Sequence, residues 1–140
     1  MSHQIIFSNE APKPIGPYSQ AVYANGFLFL SGQIPLHPQT GQMVAGSIED
    51  QTRRVFENIK AVLSAAQVDF SCVVKATIFL KDLAHFDRIN RVYEENFGTS
   101  KPARSTIQVA RLPKDAEVEI EVIACHPNYP IGTFAKPAKV

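Results

Sequence analysis

The segment Phe27-Leu28-Phe29-Leu30 is apolar at every position and directly follows Asn25-Gly26. Asn-Gly suits the two-residue hairpin turn, whose central residues both need positive φ. Residues 19–24 and 27–31 therefore read as the two arms of a hairpin. A strand that is apolar on both faces needs cover on both sides of its sheet. The chain has 140 residues, enough for one domain with one core. Only two of its stretches repeat with helical spacing, and two helices cover one face of a sheet. The other face is left for a partner subunit.

The remaining elements follow from periodicity and punctuation. Residues 3–8 read as a short first strand. Residues 9–18, with Pro12, Pro14, Gly16 and Pro17, read as a stiff loop, and Gly32–Gly46, with Pro35, Pro38 and Gly41, as a long one. Ser47 and Asp50 have capping-box spacing, and Val55, Phe56, Ile59, Val62, Leu63 and Ala66 behind them predict a helix over 48–66. Residues 73–80 are β-branched and aromatic, as in a core strand. Asp82 can cap a second helix carrying Leu83, Phe86, Ile89, Tyr93 and Phe97 on one stripe, with Gly98 as the stop. Two strands around 102–107 and 117–122 complete an α+β order: about six mostly antiparallel strands with two helices on one face. A single domain over 1–125 is expected, with 126–140, rich in Pro, as an extended or disordered tail.

Composition excludes several classes. Lys+Arg 14 against Asp+Glu 13 leaves a net charge of +1, with no basic excess for nucleic acid. Apolar runs reach only strand length, far short of the roughly 20 residues of a membrane span. Met1-Ser2-His3-Gln4 has no basic region leading into an apolar stretch, so a secretory signal is not expected. Cys72 and Cys125 suggest free thiols in a reducing compartment, the cytosol or an organelle matrix, and of these the cytoplasm is the expected location. His3, His37, His85 and His126 stand alone, without metal-ligand spacing.

The chemistry lies in the last two strands. Arg104, Thr106 and Gln108 share one face, and Glu117, Glu119 and Glu121 share one. If these strands pair antiparallel with Ile107, Val109, Val118, Ile120 and Val122 toward the core, Arg104 and the glutamates lie together on the opposite face. That arrangement is either a surface ion pair or a site that holds a small carboxylate and moves a proton. The planar fork of a covered arginine suits a carboxylate, and a covered glutamate can handle a proton or a water. Gly32, ending a strand, either lets a ligand approach the backbone or bends the chain into the loop.

Ile15-Gly16-Pro17-Tyr18-Ser19-Gln20-Ala21, Ser31-Gly32-Gln33-Ile34-Pro35, Val74–Leu83, Pro102-Ala103-Arg104-Ser105 and Leu112-Pro113-Lys114-Asp115 resemble, in order, the motifs of the RidA/YjgF family. The resemblance covers about residues 4–125. It implies a chorismate-mutase-like fold and a homotrimer around a central barrel, with sites between subunits. It also implies hydrolysis of enamine and imine intermediates such as 2-aminoacrylate and 2-aminocrotonate to 2-oxo acids and ammonia, without metal or organic cofactor. Carried over residue by residue, the carboxylate-binding arginine falls on Arg104 and the water-handling glutamate on Glu119. The other substrate-binding positions fall on Tyr18, Ser31, Gly32, Phe86, Asn90 and Thr106. Close bacterial members usually carry cysteine at the position of Thr106, a departure that puts substrate preference in question. A rival implication is an RNA-acting (endoribonuclease or translation-inhibitor) or chaperone-like member, against which stands the absence of a basic stripe.

Overall fold

The computed structural model describes residues 3–128. Among these residues, six strands form one sheet in the order β1-β2-β3-β6-β4-β5. They are β1 (Gln4–Ile6), β2 (Ala21–Ala24), β3 (Phe27–Leu30), β4 (Val73–Leu80), β5 (Ala103–Gln108) and β6 (Val118–Cys125). The helices α1 (Ile48–Ala65) and α2 (Phe86–Phe97) pack on one face. The expected tail lies mostly outside the described residues; within them, the His126 N–H donates to the Gly26 carbonyl at 2.9 Å.

Local signals build these elements where the sequence places them. Asn25 and Gly26 both have positive φ, as the β2–β3 turn requires. Ser47 caps α1 by accepting from the Asp50 N–H, while Asp50 accepts from the Ser47 N–H. Asp82 caps a short 3₁₀ turn, Leu83–His85, which leads into α2 rather than capping α2 itself. The core joins Val55, Phe56, Ile59 and Leu63 of α1 and Ile89 and Val92 of α2 to the sheet. Arg88 grips Glu49 through two hydrogen bonds of 2.6 and 2.7 Å, tying α2 to the start of α1.

The pairing of the last two strands corrects the sequence reading. β5 and β6 are not neighbours: β4 stands between them, pairing parallel with β5 and antiparallel with β6. The physical reason is α2. A helical crossover returns the chain parallel to the strand it left, so β4-α2-β5 forms a parallel pair with β5 at the sheet edge. β6 fills the centre because Val118, Ile120, Val122 and Ala124 are all fully covered by the helices.

The open face of the sheet carries the other half of β3. Leu28 and Leu30 are buried under the helices, whereas Phe29 is 47% exposed on the open side. Ile5, Val22 and Ile123 lie on that side with it, opposite or beside Phe29 in the ladder.

Candidate functional site

In a parallel or antiparallel ladder, directly paired residues point to the same face. Arg104 pairs with Ala76 and Thr106 with Ile78, and both partners are fully buried under the helices. Arg104 and Thr106 therefore face α2. Ile107, read as a core residue, is 45% exposed and points the other way. Glu119 pairs with Phe79, between the core-facing Ile78 and Leu80, and so faces the open side. The expectation that Arg104 and Glu119 share a face of one chain is thus overturned. The predicted residues separate into two groups.

The first group lies on the helix side at the sheet edge. Phe86, Asn90 and Tyr93 recur at helical spacing on α2 and all reach Arg104. An Arg104 Nη1–H donates to Asn90 Oδ1 at 2.7 Å. The guanidinium carbon lies over the Tyr93 ring at 4.7 Å and over the Phe86 ring at 5.5 Å from the centroids. Such contacts are worth about 0.5–2 kcal/mol each, depending on desolvation. Asn90 is the only hydrogen-bonding side-chain partner of Arg104 among the described residues, so most of its five N–H donors stay free. A cleft of about 290 Å³ opens beside it, lined also by Tyr93, Glu94 and Lys101. The Tyr93 hydroxyl and Thr106 Oγ1 are buried, with no hydrogen-bond partner among the described residues. Burial raises the Tyr93 phenol above its ordinary pKa, against a smaller opposing effect of the Arg104 charge, which keeps it neutral.

The second group lies on the open side. Phe29 faces Ile123 and Gln33 faces Ile120, so four steps along one chain match three along the other. The extra residue makes a bulge at Ser31-Gly32, which puts Gly32 against Glu119. A β-carbon on Gly32 would fall 2.8 Å from Glu119 Cδ and 2.9 Å from Cγ. What approaches this glycine is the chain's own carboxylate. Glu119 is half-buried, and burial, with the neighbouring Glu121 charge second, raises its pKa above the ordinary value.

A cavity of about 420 Å³ opens in front of Glu119, walled by Lys13, Ile15, Tyr18, Ser31 and Glu121 among others. The loop that carries Lys13 to Tyr18 is pinned by Gln20, whose buried amide accepts from the Ser8 N–H at 2.6 Å and donates to the Pro12 carbonyl at 2.9 Å. Ser31 Oγ donates to the Ser19 carbonyl at 2.6 Å, so its hydroxyl is engaged in holding this loop. Tyr18 is partly exposed, and its hydroxyl accepts from the Ile15 N–H at 3.3 Å.

Tyr18, Ser31, Gly32 and Glu119 thus stand together on one face, and Phe86, Asn90, Arg104 and Thr106 on the other. Sequence reading missed Tyr93 and Lys13 as lining residues. Tyr93 was legible from its spacing of three from Asn90 and seven from Phe86; Lys13 carries no such signal. Among the described residues, no group of three or more His, Cys, Asp or Glu side chains could hold a metal ion. No helix among them is long and apolar enough to cross a membrane.

The family model described as endoribonuclease L-PSP matches residues 8–126. A RutC family protein of Pyrococcus horikoshii is 57% identical over 121 residues, covering 86% of this chain and 96% of that protein. Reactive Intermediate Deaminase A, chloroplastic, of Arabidopsis thaliana is 49% identical over 86% of this chain and 65% of its own length. Among solved structures, E. coli TdcF with bound serine superposes with a TM-score of 0.83 at 45% identity, covering 88% of this chain and 98% of that one. The match across nearly the whole ordered sheet, with every motif in sequence order, makes this chain a member of the RidA/YjgF family, the endoribonuclease L-PSP family.

Proposed function

We propose that this protein hydrolyses short 2-imino acids, and the enamines in equilibrium with them, to 2-oxo acids and ammonia. The observation that carries this reading is Arg104. Its guanidinium is held by Asn90, Tyr93 and Phe86 of α2, and the residue lines a small cleft. A planar, pre-oriented fork matches a carboxylate in two parallel charge-assisted hydrogen bonds. The serine in the TdcF structure and the name of the Arabidopsis relative point toward the same small-acid chemistry.

Arg104 and Glu119 lie on opposite faces of the sheet, so one chain does not bring both to one small molecule. The reading therefore includes a homotrimer in which the Arg104 side of one subunit meets the Glu119 cavity of the next. The exposed Phe29, Ile5 and Ile107 support it, because an apolar open face calls for cover.

The reaction follows from these groups. Protonation of an enamine at its β-carbon gives the imine as its iminium cation, whose C2 is electrophilic. Glu119 takes a proton from water as the oxygen bonds to C2, giving a carbinolamine. Return of that proton to nitrogen makes it a leaving group; as the C–N bond breaks, the hydroxyl proton passes to Glu119, which leaves the 2-oxo acid and releases ammonia. A carboxyl with a raised pKa suits such two-way proton traffic near neutral pH. Binding at Arg104 holds the carboxylate in substrate and transition state alike, while Glu119 positions the water against C2 and so lowers the barrier.

The family description also names an endoribonuclease. The cavity in front of Glu119 presents two carboxylates, Glu119 and Glu121, against one cation, Lys13, a balance that disfavours a phosphate backbone there. The deciding experiment mixes the protein with a serine or threonine dehydratase and follows 2-oxo acid release. The proposal expects faster release than the dehydratase gives alone; no acceleration at any protein concentration contradicts it.

A further inference from the structure

Arg104 sits on an edge strand, where its long stem has many rotamers, yet a bidentate grip needs one plane. The hydrogen bond to Asn90 fixes one nitrogen and leaves the group free to swing about that contact. A second support comes from Tyr93, the nearer of the two rings under the guanidinium. Tyr93 is itself immobilised from below. Its ring meets Phe97 at 4.5 Å and Phe56 at 6.0 Å, and it packs against the main core. The negative face of a fixed aromatic ring is a platform for a cation. The phenol oxygen has no partner among the described residues, so it is the ring that the structure shows in use.

We propose that Tyr93 is a positioning residue, whose ring face holds the Arg104 guanidinium in the orientation that receives the substrate carboxylate. This rests on the reading of Arg104 as the carboxylate-binding group. It assigns to Tyr93 a role through Arg104 rather than contact with the reacting atoms. Loss of such support weakens binding of substrate and transition state alike, so it raises KM and spares kcat.

The test uses the full chain with Tyr93→Phe, Tyr93→Leu, and phenylalanines bearing one, two or three ring fluorines introduced at position 93. Fluorine drains the ring face of negative charge while keeping its shape and packing, so a failure of Tyr93→Leu to fold does not leave the question open. Three quantities are read: affinity for 2-oxobutanoate by calorimetry, KM and kcat for imine hydrolysis, and the Arg104 Nε–H signal in NMR spectra of ligand-free protein. Tyr93→Phe should bind within about twofold of the natural protein. Affinity should then fall stepwise with fluorine count, by about threefold to thirtyfold in all. KM should rise in parallel while kcat changes less than about threefold, as the loss of uniform binding requires. The Nε–H signal should move toward that of a free arginine with each fluorine.

Fluorinated rings that bind like Tyr93→Phe would overturn the proposal. So would a Tyr93→Phe protein as impaired as the most fluorinated one, because the hydroxyl would then be the working group. If the natural protein binds no 2-oxo acid and turns over no imine, the proposed function fails. The Arg104 signal then decides the positioning role alone, and a signal constant across the fluorine series overturns it.

Discussion

The Glu119 carboxylate lies against the Cα of Gly32, in space that any side chain at position 32 would fill. The bulge at Ser31-Gly32 creates this contact, and it sets where the carboxylate points. Gly32 is thus a spacing residue for Glu119, whatever further contact its backbone makes with a ligand.

Gly32→Ala should therefore displace Glu119 and cut turnover by roughly a hundredfold, the scale of an ångström-sized misplacement. Steady-state imine hydrolysis measures this, with circular dichroism checking that the sheet persists. Equal turnover in the variant would show that Glu119 can shift without consequence.

Glu119→Gln carries a stability signature as well as a kinetic one. Burial raises the folded-state pKa of Glu119 above its ordinary value of 4.5. A carboxyl raised in this way opposes folding when ionised, and the penalty vanishes as pH falls below the unfolded value. The variant should melt above the natural protein at pH 7, with the gap closing toward pH 4, while its turnover drops. A variant that melts lower at pH 7 would mean that the ionised carboxylate is stabilised by contacts other than those described.

Much of this architecture was legible in the chain. Asn25-Gly26 fixed the hairpin and Ser47 and Asp50 the start of α1; of the stripe read for α2, Ile89 and Phe97 are buried, Leu83 and Phe86 are exposed, and the buried Val92 stood outside it. Alternation, however, tells which residues of a strand share a face and not which strand lies beside it. That is why β5 and β6 read as partners although β4 separates them. It is also why Arg104 and Thr106 read as facing the open side. On β5 the half-buried residues are the polar ones, because α2 offers them Asn90 and two aromatic rings instead of aliphatic packing. At Gly32 the sequence leaves a ligand's approach and a bend into the loop both open; the group that stands there, Glu119, comes from a strand far away in sequence, and spacing alone does not reveal that.

Arg104→Lys keeps the charge but loses the planar fork and the stacking. Charged hydrogen bonds contribute about 1.5–3 kcal/mol, so affinity for a 2-oxo acid should fall roughly tenfold to a hundredfold. Calorimetric titration reads this directly. Wild-type affinity in the variant would remove Arg104 from the role proposed for it.

The central claim is that Arg104 and Glu119 act together only across a subunit boundary, since the sheet separates them within a chain. Arg104→Ala and Glu119→Gln, each nearly inactive alone, should complement when unfolded together in equal amounts and refolded. Random assembly into closed rings places a natural Arg104 against a natural Glu119 in about a quarter of the sites, so activity should return to about a quarter of the natural level. A mixed assembly no more active than its two parents would contradict the shared site.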